Sequence, residues 1–168
     1  NIDCSPNERN ISDTVTVSAW IKTTTSDYVW IAGKYDWTID KGFHLSISNN
    51  KPFVAGINDG GEYVFAHSSK LINDGEWHHV MGVVYHNTWE IWVDCQLDSI
   101  VYSDASSPDL TNSEPMTIGN YNMGQEGEHY HFLGAIDEIR VYNRLLTEEE
   151  KQLLCNAIQT ETHSIMNT

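Results

Sequence analysis

The sequence predicts an all-β protein, a two-sheet antiparallel β-sandwich with one short C-terminal helix. Three observations predict this class: apolar and polar residues alternate repeatedly between Thr14 and Tyr142, turn residues interrupt the alternation at short intervals, and only one segment has a strong helix signal. Many short strands with regular turns are typical of packed antiparallel sheets. A chain of 168 residues with 40% hydrophobic content can bury one core. We therefore expect one domain over residues 1–156 and a pattern-free tail over residues 157–168.

The first half of the chain predicts a series of strands. Val15–Ile21 alternates small and apolar residues with hydroxyl residues, as a strand with one buried face requires. Asp, Asn and Gly clusters separate the shorter runs that follow, which predicts hairpins. These runs are Tyr28–Ala32, Phe43–Ser48, Pro52–Ile57 and Tyr63–His67. Trp77–Tyr85 and Trp89–Val93 are separated by a short connection, so we expect them to be antiparallel neighbours.

The second half is less regular. Ser99–Glu114 is rich in Ser, Asp and Pro, which predicts an irregular excursion. Gly119–His131 lacks alternation and is predicted to be a functional or lid-like loop. The run Phe132–Tyr142 is strand-like and predicts the closing strand.

The helix signal begins at Thr147. Thr147 and Glu150 form a capping box, and acidic residues fill the first turn, where the helix dipole favours them. We expect Leu153 and Leu154 to pack this helix against the sandwich.

Several segments together resemble the concanavalin-like, laminin-G-like family of jelly-roll domains. They are Val15–Lys22, Asp74–Val80, Ile91–Asp94, Phe132–Tyr142 and Asn143–Thr147, so the resemblance covers nearly the whole chain. It implies jelly-roll topology, with the first and last strands side by side, and a role in glycan binding or adhesion.

The chain departs from the family pattern at two places. The family opens with an apolar strand and an Asp-Gly turn ahead of the segment that Asn1–Asp3 continues, so the first strand is expected to be clipped. The family also has Gly in the turn where Cys95 stands, which implies another turn geometry or a special role for the thiol. For the three cysteines, the resemblance implies a clamp between Cys4 and Cys155. Three buried thiols that act as small apolar side chains are the alternative.

Charge and the lack of long apolar runs exclude several partners. The formal net charge of −15 repels nucleic acid and anionic lipid. No apolar run approaches the ~20 residues of a membrane span, so no membrane insertion is expected. Asn10–Ser12 fits a glycosylation acceptor and favours a secreted or cell-surface protein. The excess of carboxylates is explained by solubility or by calcium binding.

Asp137 is the metal candidate. The resemblance implies that an Asp at this point of the closing strand holds a structural calcium together with backbone carbonyls. Alternation places Asp137 in phase with apolar Ile139 and Val141, so its carboxylate needs a partner. A salt bridge is the alternative to calcium. His129 and His131 have a spacing that suits zinc, but two loop histidines without a third ligand are weak evidence.

The glycan-binding candidates combine aromatic rings with amide or carboxylate oxygens in segments that break the strand pattern. Sugars stack their C–H faces on aromatic rings and hydrogen-bond such oxygens. The predicted ligand-binding residues are Tyr35, Asp36, Trp37, Asn58, Asp59, Tyr63, Asn120, Tyr121, Asn122 and Glu126.

The predicted function is a non-catalytic, lectin-like carbohydrate-binding module stabilised by calcium, with a glycan or polysaccharide as partner. Glycoside hydrolases of this fold use paired carboxylates on one strand, and the chain has no Glu-x-Asp-x-x-Glu motif. Asp137 and Glu138 are adjacent, so on a regular strand they point to opposite faces. A protein-binding adhesion or assembly domain is the second hypothesis. A glycoside hydrolase or lyase with unrecognised carboxylate spacing is the third.

Overall fold

The computed structural model describes residues 11–58, 60–104, 107–121 and 130–156. Within these ranges the chain forms two five-stranded antiparallel sheets and one helix, which confirms the predicted fold class. The elements are β1 Thr14–Thr23, β2 Val29–Asp36, β3 Lys41–Ser48, β4 Lys51–Ile57, β5 Tyr63–His67, β6 Trp77–Tyr85, β7 Thr88–Val93, β8 Gln96–Tyr102, β9 Thr117–Ile118, β10 Gly134–Tyr142 and α1 Glu148–Asn156.

The first sheet has the strand order β10-β1-β6-β7-β8, and the second has the order β5-β4-β3-β2-β9. The predicted neighbours β6 and β7 pair antiparallel, from Val80 opposite Val93 to Tyr85 opposite Thr88. The closing strand β10 pairs with β1, the first described strand. The strand that opens the family pattern is not among the described residues, so the implied pairing of first and last strands stays a prediction.

The core lies between the sheets and is built from alternate residues of each strand. Val15, Val17, Ala19 and Ile21 of β1 are fully buried in it, as the alternation in this segment predicts. The sheets approach closely at Gly82, where an added Cβ would lie 2.6 Å from Cγ2 of Val54. At Gly82 the two sheets therefore leave no room for a larger side chain.

One strand corrects the sequence interpretation of residues 99–114, because β8 continues to Tyr102. The two-residue strand β9 follows this segment and pairs with β2 through Thr117 and Ile118. Val101 of β8 packs against the core, whereas its neighbour Tyr102 is 66% exposed. The Ser- and Asp-rich composition obscured this edge strand because an edge strand needs few apolar residues.

The helix α1 begins with the predicted capping box. The Thr147 amide donates to a Glu150 carboxylate oxygen at 2.9 Å, and the Glu150 amide donates to Thr147 Oγ1 at 3.3 Å. The residues that bury the helix are not those expected from sequence. Leu153 is 70% exposed and Leu154 is only half-buried, whereas Lys151 and Cys155 are buried.

Lys151 fastens the helix to the outer face of the first sheet. Its ammonium lies 3.2 Å from a carboxylate oxygen of Glu90 and 4.3 Å from the centroid of the Trp92 ring. Both charged side chains of this pair are less than one-tenth exposed. The buried ammonium contacts both a carboxylate and an aromatic face, so it keeps favourable interactions after it loses water. A lysine can therefore occupy a buried helix position that is usually apolar.

A disulfide joins Cys95 to Cys155, with 5.5 Å between the Cα atoms. This finding corrects the expected Cys4–Cys155 clamp, and Cys4 lies outside the described residues. Asp94 and Cys95 have φ values of 52° and 65°, so the turn between β7 and β8 keeps the left-handed backbone that favours glycine. The special role of Cys95 is therefore to hold α1 on the first sheet.

Candidate functional site

The outer face of the second sheet carries ten aromatic or imidazole side chains that contact one another. Their rings form a connected set with centroid separations of 4.3 to 6.2 Å. This set, here named the aromatic face, consists of Tyr28, Trp30, Tyr35, His44, Phe53, Tyr63, Phe65, His67, Tyr121 and Tyr130.

Strand alternation places most of these side chains on one face. In β5, Tyr63, Phe65 and His67 are exposed, while Val64 and Ala66 point into the core. In β2 the alternation is interrupted by a bulge between Trp30 and Ala32, so that Ile31 and Ala32 both belong to the core. The bulge changes the phase of β2 beyond Trp30.

Gly33 makes room for the indole of Trp30. An added Cβ at Gly33 would lie 2.5 Å from Cζ2 of Trp30 and 2.6 Å from Cβ of His44. Any larger residue would displace the ring. The absence of a side chain at position 33 is thus what allows Trp30 to lie flat on the sheet.

A three-ring stack forms the centre of the aromatic face. The Trp30 ring lies 4.5 Å from the His44 ring at an interplanar angle of 21°, and 4.3 Å from the Tyr121 ring at 14°. Trp30 and His44 are each 1% exposed and Tyr121 is 8% exposed. Stacked aromatic pairs contribute ~0.5–1.5 kcal/mol beyond their buried area. The centre is therefore a rigid support.

Hydrogen bonds fix this centre further. Tyr63 and His44 are hydrogen-bonded between the phenol oxygen and Nε2, and His44 Nδ1 lies 2.8 Å from Ser46 Oγ. The Tyr121 hydroxyl donates to the carbonyl oxygen of Tyr35 at 3.0 Å. The Tyr35 hydroxyl donates to Asp40 Oδ1 at 2.9 Å.

Burial keeps the titratable groups of the face uncharged at neutral pH. It lowers the pKa of His44 to about 3 and raises the pKa of Tyr28 and of Tyr121 to about 12. It also raises the pKa of Tyr35 and Tyr63 well above the usual phenol value. At neutral pH the aromatic face thus presents neutral rings and hydroxyl groups.

The accessible part of the aromatic face lies around the buried centre. Tyr28, Tyr63 and Phe65 are 37%, 40% and 46% exposed. Beneath Tyr28 lies the nearly buried Phe53, with 5.8 Å between the ring centroids. Exposed rings supported by buried ones are suited to stack against the apolar face of a ligand.

Three predicted ligand residues come together here, namely Tyr35, Tyr63 and Tyr121. The Tyr35 ring meets the other two edge-on at 6.2 Å from each. The signal that sequence reasoning missed is the recurrence of aromatic or imidazole side chains at alternate positions of β5, Tyr63, Phe65 and His67. That pattern would have added Phe65 and His67, whereas His44 and Phe53 are the single outer-face rings of β3 and β4.

Other predicted ligand residues have different surroundings. Asp36 is buried and accepts hydrogen bonds from the amide and hydroxyl of Thr38, at 2.9 and 2.6 Å, so it holds the following turn. Trp37, in that turn, is 39% exposed. Asn58 is 1% exposed and donates to Glu62 Oε2 at 2.9 Å and Ser103 Oγ at 2.8 Å.

Asn120 adjoins Tyr121, and its side-chain oxygen is buried with no hydrogen-bond partner. The candidates Asp59, Asn122 and Glu126 lie outside the described residues, as does His129 of the weak zinc pair. His78 is engaged structurally, with Nδ1 2.9 Å from Asp94 and Nε2 3.1 Å from Asp74.

Asp137 is exposed, and the strand phase assumed for it is wrong. Ile136 and Ile139 both pack against the core, because the β1–β10 pairing contains a bulge and Glu138 has φ of 49°. The Glu138 amide donates to Asp137 Oδ1 at 2.8 Å. Over the described part of the chain, no three His, Cys, Asp or Glu side chains are grouped to hold a metal ion. One carboxylate does not supply the six to eight oxygens of a calcium site, so calcium binding through Asp137 stays a prediction.

The comparisons with known proteins agree with this architecture. The model of the family described as the Concanavalin A-like lectin/glucanases superfamily matches residues 2–150. No curated protein matches the chain.

Similar solved structures include the Ruminococcus gnavus IT-sialidase CBM40 bound to α2,3 sialyllactose, with TM-score 0.70, 17% identity and coverage of 94% of this chain and 90% of that one. Domains LG4-5 of the mouse laminin α1 chain give TM-score 0.65 and 20% identity over 83% of this chain and 38% of that one. The binding domain of Paraclostridial Mosquitocidal Protein 1 gives TM-score 0.66 and 14% identity over 92% of this chain and 40% of that one. The chain therefore spans well under half of the last two structures.

Proposed function

The chain belongs to the concanavalin A-like lectin/glucanases superfamily, and we propose that it is a non-catalytic glycan-binding module whose ligand stacks on the aromatic face. The observation that carries this proposal is the set of exposed rings, Tyr28, Tyr63 and Phe65, on a face whose centre is buried and hydrogen-bonded. Leaving such rings in water is unfavourable. A sugar supplies C–H groups that cover the rings and hydroxyls that bond the surrounding oxygens.

The comparison with the sialidase CBM40 supports this proposal at the level of the class. That module has the same fold along 90% of its length and is bound to sialyllactose. The carboxylates near the aromatic face already have structural tasks, since Asp40 accepts from Tyr35 and Glu62 accepts from Asn58. Because these carboxylates are engaged in hydrogen bonds that hold the structure, their arrangement supports binding by the face and not catalysis.

A secreted or cell-surface location fits the proposed function. The Cys95–Cys155 disulfide is of the kind that persists in oxidising compartments. Among the described residues no helix is long and apolar enough to cross a membrane.

Binding to an immobilised panel of oligosaccharides, followed by calorimetric titration of each positive, tests the proposal. Phe65→Ala should weaken binding about tenfold, corresponding to ~1.4 kcal/mol for one lost stacked ring. Trp77→Ala is the matched control, because Trp77 is 41% exposed and lies at the start of β6 in the first sheet. Equal loss in both variants, or no glycan binding at all, would contradict the proposal.

A protein-binding adhesion or assembly domain is the second candidate function. It is favoured by the exposed apolar side chains of edge strand β8, where Leu97, Ile100 and Tyr102 are 45%, 37% and 66% exposed. An unpaired strand edge can also bind a peptide as an additional strand.

A further inference from the structure

A groove separates the edge strands β5 and β8, on the side where both sheets end. Its volume is about 240 Å³, and residues of both strands and of their flanking segments line it. Val64 and Val101, which pack against the core, contribute apolar surface. Tyr63 and Phe65 on one side, and Tyr102 on the other, contribute aromatic rings.

The groove is continuous with the aromatic face, because Tyr63 and Phe65 belong to both. Their ring centroids lie 6.0 Å apart, and the Tyr63 ring lies 6.2 Å from that of Tyr35. Tyr102 is 66% exposed, the highest exposure of the aromatic side chains in the described residues. A ligand that stacks on Phe65 and extends past β5 would enter this groove, which Tyr102 lines from the side of β8.

Two carboxylates, Glu62 and Asp104, also line the groove. Glu62 accepts from Asn58, whereas Asp104 is exposed. Carboxylates accept hydrogen bonds from sugar hydroxyls but repel sugar acids.

The three lysines of strands β2, β3 and β4 in the second sheet do not offset this negative charge. Lys34 donates to Asn112, with Nζ 2.8 Å from Oδ1, and is 8% exposed. Lys41 forms an ion pair with Asp109. Lys51 lies near His67, at the end of β5 that is far from Glu62. Burial lowers the pKa of His67, and the nearby charge of Lys51 lowers it further.

We propose that the ligand is an uncharged oligosaccharide chain that stacks on the aromatic face, crosses β5 and occupies the groove between β5 and β8. This inference rests on the proposed function, because it assigns the class and the length of the glycan. It assigns to Tyr102 a stacking contact and to Asp104 a hydrogen bond with sugar units beyond those on the aromatic face. Terminal sugars and disaccharides would occupy only part of this site.

Calorimetric titration of the whole chain with cello-, malto- and galacto-oligosaccharide ladders tests the length. In the ladder that binds, affinity should rise about tenfold from the disaccharide to the longest soluble member. This rise is the gain expected from one further stacked ring. Tyr102→Ala should remove most of this rise, and Asp104→Asn should reduce it by a smaller amount. Disaccharides should lose little affinity in either variant, because they do not reach the groove. Phe65→Ala should weaken every member, and Trp77→Ala none.

Lactose and its α2,3- and α2,6-sialylated forms test the charge. Lactose should bind at least as tightly as either sialyllactose. Tighter binding of a sialyllactose overturns the proposal, as does affinity that stays constant with length or a Tyr102→Ala variant that keeps the full rise. In each of those cases the proposed function still stands if Phe65→Ala weakens glycan binding, and only the inference about the groove is lost. Failure of every ladder to bind overturns both.

Discussion

The indole of Trp30 and the phenol ring of Tyr121 lie face to face, 4.3 Å apart at an angle of 14°. Tyr121 follows β9, so this stack attaches the segment after β9 to strand β2 of the second sheet. Two backbone hydrogen bonds act in the same way, from Gly119 to the Ile31 carbonyl at 2.8 Å and from Trp30 to the Tyr130 carbonyl at 3.2 Å. Support for the aromatic face thus comes from distant parts of the chain.

Substitution of buried and exposed members of the aromatic face should separate stability from binding. Trp30→Ala should lower the free energy of unfolding by ~3–5 kcal/mol, since it empties a buried site. Phe65→Ala, at a 46% exposed position, should change stability by less than ~1 kcal/mol while weakening glycan binding. Urea denaturation and calorimetric titration of both variants measure the two effects. A stable Trp30→Ala variant would show that the stack is not a support.

The disulfide should stabilise the protein by about 4 kcal/mol. It links positions separated by 60 residues, and the loop-entropy model gives ~3 to ~4.7 kcal/mol for loops of 15 to 100 residues. Denaturation of a Cys95→Ala/Cys155→Ala variant measures the loss. Cys4→Ser is the matched control and should keep wild-type stability, because it leaves this bond intact. A similar loss in the control would indicate that Cys4 takes part.

Stability should fall on acidification through His44. Its pKa is about 3 in the folded protein because of burial, against ~6.5 in an unfolded chain. Below pH ~6.5 the unfolded chain binds a proton that the folded protein does not, so the contribution of His44 is complete above this pH and is lost as the pH falls toward 3. The slope is at most ~1.4 kcal/mol per pH unit.

Urea denaturation at about pH 7, 6 and 5 tests this, because steps of about one pH unit are enough to resolve such a slope. The His44→Phe variant should show a shallower decrease than the wild type. His79, whose pKa burial lowers to about 4, retains its own decrease in the variant. Parallel curves for the two proteins would contradict the assignment to His44.

Calcium should raise the midpoint of thermal unfolding through Asp137. A cation that binds only the folded state stabilises it by ~2.7 kcal/mol at a hundredfold excess over Kd. Melting scans with calcium and with chelator measure the shift, and Asp137→Ala should abolish it. An unchanged wild-type midpoint, or a full shift in Asp137→Ala, would refute the site.

The protein should not hydrolyse the glycans that it binds. A glycosidase needs an acid and a nucleophile or base ~5 to 9.5 Å apart on either side of one bond, and the sequence has no alternating acidic motif on a strand. Incubation with a broad polysaccharide panel and detection of new reducing ends tests this. Turnover that one carboxylate substitution abolishes would establish an enzyme instead.

Local patterns predicted what depends on local physics. The alternation of Val15–Ile21 predicted the buried face of β1, and the Thr147–Glu150 spacing predicted the capping box, because each feature is decided by neighbouring residues. The bulges at Ile31 and Glu138 could not be predicted, since they depend on pairing with another strand. For this reason the surroundings of Trp30 and of Asp137 required the structure.

Long-range contacts also exceeded what the sequence could show. Three cysteines allow three single pairings, and the choice of Cys95 follows from where α1 meets the β7–β8 turn. The predicted ligand residues Tyr35, Tyr63 and Tyr121 do meet, but the buried centre that organises them was absent from the prediction.

The bond between Cys95 and Cys155 also determines how the molecule would carry mechanical load. Tension applied beyond the helix passes through the disulfide into the β7–β8 turn and bypasses residues 96–154, including β10. That segment, ~200 Å when fully extended, cannot be pulled out while the bond is intact. Reduction would bring β10, the edge strand beside β1, into the load path.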